Sequence, residues 1–165
     1  MDRNVVRDAR SSDAHRFAAI YSPYVEGSCV SFESAAPSPE EMASRIEEKL
    51  GQGFPWLALE VGGELAGYAY YGPWRSREAY RGTVESTIYL DPAFQGRGLG
   101  KLLYGELVDR ARSQGRHAMI GIVALPNEAS AALHRKLGFA RAGLYREVGF
   151  KLGRWVDIES WELRL

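Results

Sequence analysis

The chain has few of the residue types that cross-link a protein or bind a metal. Cys29 is its only cysteine, so no internal disulfide can form and cysteine alone cannot supply a zinc site. Its three histidines have no paired spacing typical of metal ligands, so we expect no metal. This sparing use of cysteine predicts a cytoplasmic location.

The chain also lacks an excess of charge and any long apolar run. Its 21 basic and 21 acidic residues give a formal net charge of zero, which argues against nucleic acid or an anionic membrane as partner. No apolar run approaches the ~20 residues of a membrane helix. Residues 1–4 show no apolar signal region. We therefore expect one globular domain over residues 1–165, with neither membrane nor nucleic acid as partner.

Apolar periodicity alternates between strand and helix along the chain, as in a mixed α/β domain. Helices are predicted after Asp13, from a capping box of Ser38 and Glu41, after the glycines at 96–100 with Leu102 in the apolar stripe, and from Asn127. Strands are predicted at 5–9, 56–61, 65–71, 83–90, 119–124, 142–148 and 155–163.

The most informative segment is the loop at 95–100, which reads Gln-Gly-Arg-Gly-Leu-Gly before a helix. Glycines and a helix N-terminus together offer backbone N–H groups to a phosphate. A Walker loop is excluded, since Lys101 is followed by Leu102 and position 95 is not glycine. The glycine spacing is also wrong for a dinucleotide fold. A pyrophosphate of coenzyme A remains, beside the plainer alternative of a strand-to-helix turn.

Several separated motifs resemble one family. The loop at 95–100 and the segment 127–139, which ends in Leu-Gly-Phe, are similar to the two signatures of the GCN5-related N-acetyltransferase (GNAT) superfamily. Segments 31–33, 72–75, 83–89 and 151–157 resemble its phosphinothricin and methionine sulfoximine acetyltransferase branch. The resemblance implies a mixed, mostly antiparallel seven-stranded sheet, splayed between strands 4 and 5 and flanked by about four helices. It also implies acetyl-CoA in the splay and a homodimer.

The resemblance further implies which residues hold the donor. Backbone groups of the fourth strand would bind the pantetheine arm and the acetyl carbonyl, the glycine loop would bind the pyrophosphate, and the next helix would touch the coenzyme. These residues are Ile88, Tyr89, Leu90, Gln95, Gly96, Arg97, Gly98, Leu99, Gly100, Lys101, Asn127 and Ser130.

Two side chains suit the chemistry of acetyl transfer to an amine. The amine must lose a proton, and Glu85 in a mostly apolar strand is suited to accept it once desolvation raises its pKa. The alternative for Glu85 is a structural salt bridge with Arg81 or Arg97. His134 replaces the tyrosine of many superfamily members, and its role as acid, base or positioning group stays open. Its alternative is a half-buried histidine bonded to backbone.

The acceptor site is predicted from the basic, aromatic segment after the third strand. Arginine binds carboxylate or phosphinate groups through two parallel bonds. The resemblance implies an acceptor site formed by Arg75, Ser76 and Arg77, and Phe32 and Tyr80 are candidates for its apolar wall. The alternative for this segment is a solvated loop. We expect direct attack by a small amino acid or its analogue, with no enzyme thiol involved.

Two further functions remain open from the sequence. One is a broader amino-acid or peptide N-terminal acetyltransferase, and the other is a coenzyme A-binding regulatory domain without turnover. Trp155 and Trp161 suit either a core or a subunit interface.

Overall fold

A computed structural model describes residues 3–165, which form seven strands, four α-helices and three short 3-10 helices. The strands are β1 Asn4–Asp8, β2 Trp56–Val61, β3 Glu64–Pro73, β4 Thr83–Leu90, β5 Ala118–Ala124, β6 Ala140–Lys151 and β7 Arg154–Arg164. The helices are α1 Ala14–Glu26, α2 Pro39–Gly51, α3 Leu99–Ser113 and α4 Glu128–Lys136. Every predicted element is present. The two final strands are longer than predicted because they pair as one long hairpin.

The seven strands form one sheet in the order β1-β2-β3-β4-β5-β7-β6. Neighbouring strands are antiparallel except β4 and β5, which run parallel. Their pairing ends at Ser86 and Gly121, although β4 continues to Leu90 and β5 to Ala124. The sheet therefore splays open between strands 4 and 5, as predicted.

Helices cover both faces of the sheet. On one face α3 buries Leu103, Leu107 and Ala111 against apolar side chains of the central strands. On the other face α1 and α2 bury Phe17, Ile46 and their neighbours against Trp56 and Tyr68. Since side chains alternate along a strand, β4 sends odd-numbered residues to the α1–α2 face and even-numbered residues to the α3 face.

Two predicted helix starts differ in detail. Ser38 caps α2 by accepting the Glu41 amide at 3.1 Å, but the Glu41 carboxylate pairs with Arg45, so the reciprocal half of the capping box is absent. The Asp13 side chain does not cap α1. Instead it is buried, binds Arg7 with both oxygens at 2.8 and 2.9 Å, and accepts the amide of Arg10 at 2.8 Å. An ion pair with a residue six positions earlier thus replaces the cap of α1 that the sequence predicted.

The apolar stripe predicted on α3 is also narrower than expected. Leu102 is 43% exposed, whereas Leu103 is fully buried, because adjacent helical residues point about 100° apart. Within residues 3–165, no helix is long and apolar enough to cross a membrane.

Candidate active site

A cavity of about 1100 Å³ occupies the splay between β4 and β5. It is lined by β4 from Glu85 to Leu90, by the end of β5, by the start of α3 and by one side of α4. The carboxylates of its lining are Glu33 and Glu85, and its lysines are Lys101 and Lys136. The cavity thus extends from the glycine loop into the opening between β4 and β5, a shape that suits a long, partly anionic ligand.

The glycine loop has the backbone of an anion cradle. Gly96 and Gly98 have φ angles of 74° and 76°, a left-handed conformation that residues with a Cβ rarely adopt. Gly98 immediately precedes α3, so the first N–H groups of the helix point out of its N-terminus. These amides and the positive end of the helix dipole are suited to hold a phosphate group.

Most of the residues that the resemblance assigns to the donor lie around this cavity. Its lining includes Ile88, Tyr89, Leu90, Gln95, Gly96, Gly98, Gly100, Lys101, Asn127 and Ser130. Arg97 lies outside the lining, and its guanidinium stacks 5.4 Å from the centre of the Phe94 ring. Leu99 is also outside the lining and is buried in the core, so that only its amide could serve a ligand.

Part of the polar edge of β4 is already used within the protein. The Tyr24 hydroxyl donates to the Leu90 carbonyl at 2.5 Å and accepts from the Gln95 side-chain amide at 2.6 Å. The Leu90 carbonyl is therefore engaged. Tyr24 ties α1 to the glycine loop, and sequence reasoning missed it because nothing local marks a contact over 66 residues.

Glu85 lies half-buried on the α1–α2 face of β4 and lines the cavity. Within residues 3–165 it has no ion pair, because Arg81 pairs with Glu78 at 2.9 Å and Arg97 stacks on Phe94. Burial raises the pKa of its carboxyl above the ordinary value. The structure thus contains an unpaired, desolvated carboxylate where the splay begins, and the predicted salt-bridge alternative is absent.

His134 is on α4, on the other face of the sheet, and is only 3% exposed. Its Nδ1 donates to the Ser130 carbonyl at 2.7 Å, and its Nε2 lies 3.2 Å from the Tyr104 hydroxyl. Burial lowers the pKa of the imidazole, although the Ser130 bond opposes this effect. The ring thus has the bond to backbone expected of a structural histidine, but it also lines the cavity.

Tyr104 and Ser86 complete this cluster and were missed from the sequence. The Tyr104 hydroxyl is 2.5 Å from Ser86 Oγ, which in turn lies 3.2 Å from the Ile120 carbonyl. Nothing in the sequence distinguishes Tyr104 from a core aromatic on α3, or Ser86 from any small residue of a strand. Their partners are 18 and 30 residues apart in sequence, so no local pattern could have revealed the chain of hydrogen bonds.

The loop before α2 closes the Glu85 end of the cavity. Ser31 and Glu33 both bond to the Tyr21 hydroxyl, and Arg45 binds the two oxygens of Glu33 at 2.7 and 3.0 Å. The Arg45 bond holds the pKa of Glu33 below its ordinary value. Phe32 lies between them, lines the cavity and is 46% exposed, which suits the predicted apolar wall.

The other predicted acceptor residues lie outside the cavity lining. Arg75, Ser76 and Arg77 are exposed, and the Arg75 guanidinium stacks over the rings of Trp74 and Tyr80 at 5.2 and 5.6 Å. A 3-10 helix, Glu78–Tyr80, separates them from β4, which begins at Thr83. The segment thus lies outside the cavity wall, and its role at the acceptor stays a prediction.

Comparisons with known proteins agree with this geometry. The sequence profile of the acetyltransferase (GNAT) family matches residues 14–139. The chain is 38% identical over 157 residues to a phosphinothricin N-acetyltransferase of Streptomyces viridochromogenes, covering 95% of this chain and 85% of that protein. It is 39% identical over 164 residues to an L-methionine sulfoximine/L-methionine sulfone acetyltransferase of Pseudomonas aeruginosa, covering 97% and 94%.

A solved structure extends the likeness to three dimensions. A phosphinothricin acetyltransferase from Sinorhizobium meliloti in complex with acetyl-CoA superposes with a TM-score of 0.94 at 39% identity, covering 98% of this chain and 88% of that one. The fold and the family predicted from the sequence are thereby confirmed. The chain is an acetyltransferase that belongs to the GNAT family.

Proposed function

We propose that this chain transfers the acetyl group of acetyl-CoA to the α-amine of a small amino acid or analogue, of the phosphinothricin, methionine sulfoximine or methionine sulfone type. One observation carries the proposal. A single cavity has an anion cradle at 95–101 and an unpaired carboxylate, Glu85, where the splay begins. The relatives named for these substrates support the choice of acceptor.

The residues present fit acetyl-CoA. The amides at the start of α3 and the ammonium groups of Lys101 and Lys136 would attract its negatively charged phosphates. The edge of β4 beyond Ser86 is unpaired toward β5, so it can bind the amides of the pantetheine arm. Asn127 accepts the Ser130 amide at 3.1 Å, which leaves its own side-chain N–H₂ free for the ligand.

Glu85 would take the proton of the ammonium form and pass it to solvent, which frees the amine and leaves the carboxylate ready for the second proton that the nitrogen loses on acylation. The amine nitrogen then bonds to the thioester carbonyl carbon, the carbon–sulfur bond breaks, and its electron pair moves to sulfur. The amine proton passes to the Glu85 carboxylate, whose raised pKa brings it nearer the working pH than an ordinary glutamate. Cys29 is buried and outside the lining, which agrees with direct attack rather than an enzyme thioester.

Release of the coenzyme A thiol tests the proposal. Purified protein is mixed with acetyl-CoA and, in separate reactions, phosphinothricin, methionine sulfoximine, methionine sulfone, each standard amino acid, and peptides with a free N-terminus. We expect thiol release with one or more of the small amino acids and little with peptides. Release with peptides alone would make the chain a peptide acetyltransferase, and binding of acetyl-CoA without release would make it a binding domain.

We also propose that the chain forms a homodimer through the end of the β6–β7 hairpin. Five large apolar side chains there are more than half exposed, namely Tyr145, Val148, Phe150, Leu152 and Trp155. Such a concentration of exposed apolar surface is typical of an interface. Trp161, by contrast, is buried in the core, so of the two tryptophans only Trp155 suits an interface.

Sedimentation tests the dimer. Trp155→Glu should convert a dimer to a monomer, whereas Leu50→Glu, a comparable change at an exposed leucine on α2, should not. A monomeric wild-type protein would contradict the proposal. The cytoplasmic location also stays a prediction, which cell fractionation tests.

A further inference from the structure

Both ring nitrogens of His134 are engaged within the protein. Nδ1 faces the Ser130 carbonyl, which can only accept, so Nδ1 carries a hydrogen in every protonation state. Nε2 is therefore the nitrogen that titrates, and its partner is the Tyr104 hydroxyl. Because Nε2 faces the Tyr104 hydroxyl, that hydroxyl is the group through which Nε2 can exchange a proton while Nδ1 keeps its bond to Ser130.

We propose that His134 acts on the departing sulfur through Tyr104, whose hydroxyl gives its proton to the coenzyme A thiolate and takes the proton of Nε2. The inference rests on the proposed acetyl transfer. Tyr104 and Ser86 both line the cavity, on the α3 face and opposite Glu85. The deprotonation of the amine and the protonation of the sulfur are thereby divided between the two faces of β4.

The chain of hydroxyls accommodates both states of the imidazole. With His134 neutral, Ser86 donates to Tyr104 and Tyr104 donates to Nε2. With Nε2 protonated, Nε2 donates to Tyr104, so the Tyr104 hydrogen can turn either to Ser86 Oγ or to a thiolate in the cavity, and Ser86 donates to the Ile120 carbonyl at 3.2 Å. Each donor has an acceptor in both arrangements, so a proton can arrive or leave without an orphaned buried group.

The proton transfer balances without a further reactant. As the carbon–sulfur bond breaks, the electron pair on sulfur takes the Tyr104 proton while the phenol oxygen takes the proton of Nε2. Tyr104 ends unchanged and His134 ends neutral, to be protonated again from solvent water before the next turnover. The two transfers must be concerted, since burial raises the pKa of Tyr104 and a free phenolate would be costly.

The surroundings of the imidazole favour release of its proton. Phe139 lies edge-on at 5.1 Å and Trp161 stacks at 5.8 Å, while β5 presents Gly121. Within residues 3–165 no charged side chain hydrogen-bonds to the ring or pairs with it. An imidazolium in such a setting holds its proton weakly and gives it readily to a thiolate.

Tyr104→Phe tests the relay, because it removes only the hydroxyl. We expect kcat to fall about 10²-fold, as for loss of a general acid. The KM values for acetyl-CoA and acceptor should change less than about threefold, since the phenyl ring still fills the site. The matched control is Tyr71→Phe, which removes another buried tyrosine hydroxyl, bonded to Gln114 at 2.6 Å outside the cavity. Tyr71→Phe should lose comparable thermal stability and keep its kcat.

A double-mutant cycle separates a relay from two independent groups. Tyr104→Phe combined with His134→Ala should be no slower than the slower single variant, because either change interrupts the same path. Wild-type kcat in Tyr104→Phe, or multiplication of the two losses, would overturn the relay.

Imidazole ¹⁵N NMR tests the relay independently of turnover. The neutral ring should carry its hydrogen on Nδ1, and Tyr104→Phe should shift the Nε2 resonance. A neutral ring protonated on Nε2 would overturn the relay even in an active enzyme. Wild-type protein without thiol release for any amine would instead refute the proposed function.

Discussion

Gly121 on β5 is the residue that gives the His134 ring room against the sheet. Its φ angle is not in the left-handed region, so an alanine there has no backbone penalty and the effect of the change comes from space alone. A Cβ on residue 121 would overlap Nε2 of His134 and lie 2.9 Å from its Cδ2 and 3.3 Å from the Tyr104 hydroxyl. Gly121→Ala therefore perturbs the position of the imidazole without removing any catalytic group.

The size of the effect follows from that overlap. Carbon atoms in ordinary contact are about 3.5–4.0 Å apart, so the ring must move by roughly 1 Å or the strand must yield. Overpacking of this kind costs about 1–3 kcal/mol of folding free energy. A displacement of about 1 Å in a catalytic constellation costs about 10²-fold in rate. We expect both losses in Gly121→Ala.

For Gly121→Ala and the wild-type protein, kcat is measured by thiol release, stability by thermal melting, and the affinity for acetyl-CoA by calorimetry. Gly105→Ala is the matched control, since a Cβ on residue 105 of α3 meets only the Leu137 side chain at 3.9 Å. It should gain about 0.5–1 kcal/mol, because alanine replaces glycine inside a helix, and keep its kcat. A Gly121→Ala protein with wild-type kcat would refute the reasoning that His134 must hold this position.

Three other predictions follow from individual side chains. Glu85→Gln should abolish most turnover yet raise the melting temperature near neutral pH. Burial raises the pKa of Glu85 in the folded protein, so its carboxyl stabilises the fold only while it is protonated. That contribution is lost as the pH rises through the folded pKa, and the neutral glutamine does not lose it. The acid limb of the wild-type rate profile should accordingly lie above the ordinary glutamate pKa, and a normal acid limb would contradict Glu85 as base. Arg75→Ala should raise the KM of the acceptor far more than that of acetyl-CoA, and equal changes in both would remove Arg75 from the acceptor site. Asp13→Asn should lower the free energy of unfolding at neutral pH. Burial of Asp13 raises the pKa of its carboxyl, but the bonds to Arg7 and Arg10 outweigh burial and lower that pKa. The carboxylate therefore stabilises the fold above the pKa of the unfolded state, and this stabilisation disappears as the pH falls through the pKa of the folded state. An unchanged acid-unfolding curve in Asp13→Asn would contradict this assignment.

The parts of the fold that the sequence predicts well are those encoded locally. The glycines at 95–100 predict a loop whose backbone N–H groups can face an anion, and Gly96 and Gly98 have left-handed φ angles in the structure. The alternating run of β4 likewise fixed which residues share a face with Glu85. These features depend on a few adjacent residues, so one sequence suffices to find them.

The parts that the sequence does not predict depend on partners in other secondary-structure elements. Asp13 has the composition of a helix cap, yet its carboxylate is used by Arg7 on β1. Ser86 and Tyr104 belong to different elements and meet only once α3 packs on the sheet. No periodicity marks such pairs, since each residue is locally unremarkable for a strand or a helix.

One strand supplies residues to both halves of the proposed proton chemistry through its alternation. Glu85 pairs with Gly72 across β3 and faces α1 and α2, while Ser86 pairs in register with Gly121 and faces α3. A shift of β4 by one residue would send every side chain to the opposite face and would separate Ser86 from Tyr104. The four-residue pairing with β5, which ends at Ser86, is short enough to leave the cavity open. That same short pairing holds Glu85 and Ser86 in register at the point where the sheet divides, so the register of β4 with its two neighbours is itself part of the site.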